Sequence, residues 1–496
     1  MEDPLAPLNH QVSTNKIAVA LSYRFLFFMY YSRPPYIIYR DFLDYGYLTD
    51  NRNYGYDTAS RSCKKVGDMI LSKTGSVFYS IISEKPQSIY EISQKLIEKF
   101  KGVSLEKIQK DSFDFFNKLS EEGFVIKKSF INNQTNIDWF SYDNITPYEI
   151  EKSYKEPEIN TIIRSKSTEN RLSRVHLNIS DTCNEKCVHC YIPKYLKPNK
   201  MSKALFHKIL RECKEMNVLN ITLGGGEPML NDNLLFFIKK CKENNFSINL
   251  LTNLTLLSDN MVDEFCNIPL LSVQTTIYSL KDRIHDSITG VKGSLKKTIE
   301  GIKKLRNCNI PMQINCPVMK QNLNFYREVL DWGKSLNIET DSDYMIFGCY
   351  DGSKKNLINR LDLSEVKCLL RCDKQENKNF IVENRKYTPN FVCPICQTSL
   401  CISSTGNVYP CEGLQSISLG NLNTTPINKI WHSSNLIKEL RNLTINDFPK
   451  CKVCEDRDYC STCLVRNVTE SPSLSFRDVN SYFCSIAKMK NDIMNE

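Results

Sequence analysis

From Arg174 to about residue 370, apolar runs of strand length alternate with longer stretches in which apolar residues return every three or four positions. The runs "VHLNIS", "NITLGG", "SINLLT", "LLSVQTTIY", "MQINCPVM" and "SDYMIF" predict six strands. The periodic stretches near 203–216, 233–244, 258–266, 293–307, 324–336 and 363–371 predict the helices between them. Six β/α repeats of this kind make a parallel sheet, here a partial barrel, with chemistry at the C-terminal ends of the strands.

Residues 60–128 carry a different pattern, that of a small α+β unit. "VGDMIL" predicts a strand and "SKTG" a turn, with Ser76 capping a helix through Ile82. Three helices are expected over 76–83, 88–101 and 104–120. In the last, Leu105, Ile108, Phe115, Phe116 and Leu119 share a face, and "EEGFVIKK" turns into a closing strand. That is the order of a winged helix. Residues 129–172 are polar and rich in Asn, Ser and Lys, and read as a linker. The expected organisation is 1–128, the linker, a barrel over 173–375 and a cysteine-rich region over 376–496.

The most apolar stretch near the start, "IAVALSYRFLFFMYY" at 17–31, is too short to span a bilayer. It carries Arg24 in its middle and lacks a small-residue cleavage site, so it reads as a buried helix or strand. Nothing else resembles a signal or membrane segment, so no membrane partner and a cytoplasmic location are expected. At 496 residues with 41% hydrophobic positions the chain has material for several cores, about three at roughly 150 residues each. Its formal charge of +9 is dispersed. Across 86–128, eight Lys face seven Asp or Glu, a balance that gains little from phosphate contacts. A DNA-reading winged helix, and with it a nucleic-acid partner, is therefore not expected.

The 21 cysteines change the picture. In a long chain without a signal they read as metal or redox ligands rather than disulfides. Nine of them (Cys63, Cys213, Cys241, Cys266, Cys308, Cys316, Cys349, Cys368 and Cys372) are scattered through periodic segments and read as packing. The rest form two groups. "CNEKCVHC", residues 183–190, sets Cys183, Cys187 and Cys190 at C-x3-C-x2-C directly after the first predicted strand. Thiolates hold iron–sulfur clusters, and three of them leave one iron of a [4Fe–4S] cube open to a substrate. A structural zinc site would want four ligands at paired C-x2-C spacing, and the nearest fourth donor, His189, adjoins Cys190 awkwardly. The next strand ends in "LGGGEP", 223–228, where glycines admit a small polar ligand to the backbone and Glu227 offers a carboxylate for an amino group.

C-x3-C-x2-C followed by G-G-E-P resembles the radical S-adenosylmethionine (SAM) superfamily. The resemblance covers about 174–350 and includes "HDSITGVKGSLKKTIEGIKKL" at 285–305. It implies a partial (β/α)6 barrel in which SAM, as the fourth ligand, chelates the free iron through its amino and carboxylate groups. The reduced cluster then cleaves SAM to a 5′-deoxyadenosyl radical, which abstracts a hydrogen. By resemblance, Gly225, Gly226 and Glu227 hold the methionine end, and Thr276 in "VQTTIYS" matches the strand-four hydroxyl near the ribose. It also implies a reducing partner such as flavodoxin or ferredoxin.

The second group is "CPICQTSLCISSTGNVYPC" (393–411), "CKVCEDRDYCSTC" (451–463) and Cys484. C-x2-C-x5-C-x2-C alone could make a zinc knuckle, but nine thiols exceed one zinc site and nearly match two four-ligand clusters. The pattern is similar to the SPASM domain, which carries two auxiliary [4Fe–4S] clusters, and "GNVYPC", "SLGNL" and "INKIWHSS" match its middle. The resemblance assigns Cys451, Cys454, Cys460 and Cys484 to one cluster. It assigns Cys411 and Cys463 to the other, with two of Cys393, Cys396 and Cys401. Cys396 is preferred beside Cys393, because Cys401 alternates with Leu400 and Ile402 as in a buried strand. The last knuckle spacing, x2 in place of x3, departs from the pattern. The unit over 60–128, with "FFNKLSEEGFVIKK" its clearest part, resembles a PqqD-like peptide-recognition element. That implies a leader peptide added as a strand to a sheet edge.

Together these resemblances imply a radical SAM maturase of a ribosomally made precursor peptide, with a cysteine thioether crosslink as the expected product. Carbon–carbon crosslinking is the close alternative. Oxidation of a protein, as by sulfatase-maturing enzymes, is a third reading, and a zinc-binding winged-helix regulator is the non-enzyme reading.

Overall fold

The computed structural model describes residues 29–54, 66–128, 170–193, 199–376, 392–460 and 462–496. These form two compact units, one over 29–53 with 66–128 and one over 170–496. Most of the apolar stretch at 17–31, nearly all of the predicted linker, and Cys63 lie outside the described residues.

The first unit starts earlier than the sequence pattern suggests. Its strands are β1 (Tyr30–Ser32), β2 (Ile37–Asp41), β3 (Tyr45–Asp50), β4 (Asp68–Ser72), β5 (Gln87–Ser88) and β6 (Ile126–Lys128). They form two antiparallel sheets, β5-β1-β6 and β2-β3-β4. Helices α1 (Lys73–Ile81), α2 (Ile89–Ile97) and α3 (Leu105–Glu121) complete the winged helix. Helix α1 begins before the expected Ser76, which is buried within it. Ser72 caps it instead, its hydroxyl accepting from the Gly75 amide at 3.1 Å. Ser88 and Glu91 form a reciprocal capping box on α2. Phe116 and Leu119 of α3 lie in the core with Tyr31, Leu48, Tyr79 and Ile92, so strands upstream of the expected unit supply part of this core.

In the second unit six parallel strands run in chain order: β7 (Arg174–Ser180), β8 (Asn220–Gly225), β9 (Ser247–Leu251), β10 (Ser272–Thr276), β11 (Met312–Pro317) and β12 (Glu339–Asp343). The helices are α4 (Lys203–Glu215), α5 (Leu234–Glu243), α6 (Asp259–Cys266), α7 (Asp282–Thr289), α8 (Ser294–Asn307), α9 (Tyr326–Ser335) and α10 (Leu363–Glu376). Val175, Leu177 and Ile179 of β7, and Ile221 and Leu223 of β8, are buried in the main core. The alternate positions His176, Asn178 and Thr222 face the other side of the sheet. Phe206 of α4 stacks on Phe237 of α5 with ring centroids 4.1 Å apart.

Two elements depart from expectation. The sixth strand is the polar Glu339–Asp343, not "SDYMIF", and its exposed acidic residues alternate along an outer strand of the sheet. Helix α7 is additional, closed by Gly290 in the left-handed conformation (φ +69°).

The cysteine-rich region extends the same sheet. Strand β13 (Ser399–Ile402) pairs in parallel with β7, and β14 (Asn407–Tyr409) and β15 (Gly420–Asn421) follow antiparallel. Helices α11 (Ile427–Ser433), α12 (Asn435–Asn442), α13 (Pro449–Lys452), α14 (Leu464–Glu470) and α15 (Ser481–Asn495) carry the rest. Two cysteines expected as packing are instead bonded: Cys266 ends α6 and Cys308 caps α8, their Cα atoms 5.8 Å apart in a disulfide. The helix ends meet across 42 residues of sequence, which no local pattern reveals. No helix among the described residues is long and apolar enough to cross a membrane.

Candidate active site

The loop after β7 carries Cys183, Cys187 and Cys190, and contacts from four other segments hold it. The amides of Lys186 and Val188 donate to the carbonyls of Thr289 (2.7 Å) and Ile288 (2.9 Å) at the end of α7. Asn359 Nδ2 donates to the Val188 carbonyl (2.9 Å) and Asn356 Nδ2 to the His189 carbonyl (3.1 Å). Asn253 Nδ2, just after β9, donates to Asn184 Oδ1 (2.9 Å) and lies 3.9 Å from Cys183 Sγ. Tyr278, after β10, places its hydroxyl 3.8 Å from Cys187 Sγ and 3.4 Å from His189 Nε2. His189 is therefore packed edge-on against Tyr278 rather than presented as a fourth ligand.

The "GGE" segment serves this loop directly. A side chain on Gly225 (φ +122°) would lie 2.3 Å from the Ser180 carbonyl, and one on Gly226 would lie 2.3 Å from that of Thr182. The amides of Gly226 and Glu227 donate to those same carbonyls, both at 2.8 Å. The glycines thus let the end of β8 lie flush against the cysteine loop. Glu227 is fully buried. One carboxylate oxygen accepts from the Met229 amide (2.9 Å) and the Thr252 hydroxyl (2.7 Å), the other from the Asn253 amide (2.8 Å). Burial pushes its pKa up to about 7 against the pull of these donors. The side chain therefore joins the ends of β8 and β9, and holds the residue that reaches Cys183. Thr276 stands half-buried at the end of β10.

The other thiols gather in two places. Cys451, Cys454, Cys460 and Cys484 line one cavity of about 340 Å³, with Lys450 and Arg457 at its wall. Burial, then the neighbouring Cys484 and Cys451, push the Cys460 thiol up to about 11. Cys393, Cys411 and Cys463 form the second place: burial and Cys463 push Cys393 up to about 11, and Cys411 is raised by burial, Glu412 and both thiols. Cys396 is buried beside Cys393, with its carbonyl held by Arg441 Nε at 2.8 Å. Cys401 is buried in β13, in register with His176 of β7, and its charged neighbour is Glu412.

These donor sets suit iron–sulfur clusters. Among the described residues no three His, Cys, Asp or Glu side chains converge on a point fit for a single metal ion. The thiols instead stand in groups of three and four, and a thiolate ligand gives up its proton when metal binds. Cys183, Cys187 and Cys190 would hold the SAM-binding cluster, whose bound SAM supplies radical hydrogen abstraction, and the two C-terminal groups would hold the auxiliary clusters.

Comparison with known proteins agrees with this chemistry. The Radical SAM superfamily matches residues 177–333, and the SPASM iron–sulfur cluster-binding domain matches residues 393–463. The PqqA peptide cyclase of Bradyrhizobium diazoefficiens is 24% identical over 310 residues, 57% of this chain and 79% of the cyclase. The AdoMet-dependent heme synthase of Methanosarcina barkeri is 22% identical over 311 residues, 57% of this chain and 88% of the synthase. Among solved structures, Streptococcus suis SuiB bound to the precursor peptide SuiA aligns with a TM-score of 0.54 at 15% identity, covering 91% of this chain and 99% of SuiB. The enzyme anSMEcpe with bound AdoMet aligns at 0.51 and 19% identity, covering 66% and 94%. Those structures share the fold. The chain thus carries a radical SAM domain and a SPASM iron–sulfur cluster-binding domain, those of an enzyme that uses a [4Fe–4S] cluster, SAM and auxiliary iron–sulfur clusters.

Proposed function

We propose that this enzyme modifies a ribosomally made precursor peptide, forming a thioether between a cysteine and an acceptor carbon. The observation that carries the peptide reading is the winged-helix unit joined to a radical SAM and SPASM chain. The fold likeness to SuiB, crystallised with its precursor peptide, spans 91% of this chain, too much to leave that unit out altogether, and so supports this reading. In this reading the unit is a PqqD-like element, and the leader adds as a strand beside β4, an outer strand of its sheet that exposes Ile70. The core peptide is then the radical's target. Removing a hydrogen atom from the acceptor carbon lets the cysteine sulfur bond to it. The thiol proton and one further electron leave, and the auxiliary clusters accept that electron. Cys396 with Cys393, Cys411 and Cys463 holds one of them, and the four thiols of the 340 Å³ cavity hold the other.

The test is anaerobic incubation of the enzyme with SAM, a reductant and a candidate leader-bearing precursor peptide, read by mass spectrometry. A thioether removes two hydrogens from the peptide and one alkylatable thiol. A carbon–carbon crosslink removes two hydrogens and leaves every thiol free. SAM cleavage without any change in the peptide would count against the proposal.

A further inference from the structure

We infer that Tyr278 is a positioning residue acting through Cys187: its hydroxyl donates to the Cys187 sulfur and so raises the reduction potential of the SAM-binding cluster. The inference rests on Cys187 being a ligand of that cluster.

Tyr278 follows β10 and is 5% exposed. Its ring packs with Ile288, Met319 and Ile346, a small apolar group that also receives Val188 of the cysteine loop. The backbone is fixed on both sides. Its amide donates to His285 Nδ1 (3.3 Å), and its carbonyl accepts from Asn322 Nδ2 (2.8 Å). The hydroxyl therefore has little freedom to leave Cys187 Sγ, 3.8 Å away. Its other polar neighbour is His189 Nε2 at 3.4 Å. A hydroxyl has one proton and two lone pairs, so it can accept from Nε2–H while donating to sulfur. The Glu185 carboxyl group also lies 3.4 Å from that sulfur, with the thiol donating to its Oε2. Tyr278 is thus a side-chain donor placed on a sulfur that otherwise faces an acid. Hydrogen bonds to ligand sulfurs are among the determinants of cluster potential. Reduction adds one electron to the cluster, and a donor on a thiolate favours the more negative state. No covalent bond changes.

The experiment is a potentiometric titration of the full-length, cluster-loaded enzyme, following the electron paramagnetic resonance signal that SAM perturbs, which separates this cluster from the auxiliary ones. Tyr278→Phe should keep its iron while the ratio of reduced to oxidised cluster at a fixed potential falls severalfold, each tenfold corresponding to about 59 mV for one electron. Unchanged potential with intact iron overturns the inference. Should Tyr278→Phe fail to hold the cluster, wild-type enzyme grown with 3-fluorotyrosine, whose more acidic hydroxyl is a stronger donor, should show a raised potential. No shift there also overturns it. Iron analysis of Cys187→Ala tests the ligand assignment separately: retention of a full SAM-binding cluster would refute that assignment and not merely the tuning.

Discussion

Cys396 and Cys401 are both fully buried, and their difference lies in what surrounds them. Cys396 adjoins Cys393 and Arg441, whereas Cys401 is fixed by strand pairing to β7 and adjoins Glu412. Cys396→Ser should therefore lose one cluster, about four irons, and Cys401→Ser should lose none, as iron and sulfide analysis would show. The reverse result would exchange their roles. A second prediction concerns His285, which is 1% exposed and accepts the Tyr278 amide at Nδ1. Burial lowers its pKa from 6.5 to about 4, partly opposed by Asp286. The folded state thus binds fewer protons than the unfolded chain between those values. The stabilisation is complete above pH 6.5 and disappears as pH falls toward 4, with about 2 kcal/mol lost between pH 7 and pH 5. His285→Asn, whose amide oxygen can replace Nδ1 as acceptor, should lose less stability over that range in anaerobic denaturant unfolding. Glu227 marks what residue identity cannot convey. Its position in "GGEP" suggests a carboxylate offered to a ligand, yet three of its acceptor sites are taken by Met229, Thr252 and Asn253.

At the level of elements, the first five parallel strands are legible in the sequence because both their buried and their alternating positions follow strand periodicity. The cysteine triplet is legible because its three thiols are close in sequence. The elements that escape such a reading lack one of these properties. Strand β12, "ETDSD", has no apolar residue to announce it and is held by its register with β11. Helix α7, "DRIHDSIT", is short, and buries His285, Ile288 and Thr289. Its end supplies the carbonyls that fix Lys186 and Val188, so the family-like "HDSITG" stretch acts as a seat for the cysteine loop. Strands β2 and β3 escape because the pattern places the start of the first unit at residue 60, whereas the strands lie upstream, joined to β4 by antiparallel pairing.

For the whole molecule, the two units predict a separation of recognition from chemistry. The triplet, the "GGE" segment and both C-terminal thiol groups lie after residue 174, and the winged helix lies before 129. Deleting 1–128 should leave reductive SAM cleavage nearly intact while abolishing processing of a leader-bearing peptide. Loss of this kind reflects lost effective concentration, so the missing unit added in trans should restore part of the activity. Undiminished processing by a folded, cluster-loaded truncation would remove the unit from peptide recognition. The barrel and the cysteine-rich region admit no such cut. Because β13 hydrogen-bonds along β7, and β7 leads into the loop bearing Cys183, the strand that follows Cys393 and Cys396 also closes the flank of the strand that leads to the cysteine triplet. Replacing the C-terminal region with that of a relative is therefore not an exchange of beads on a string. It re-edges a shared sheet, and a chimera whose new strand slips by one residue would turn its inward side chains outward beside the cysteine loop.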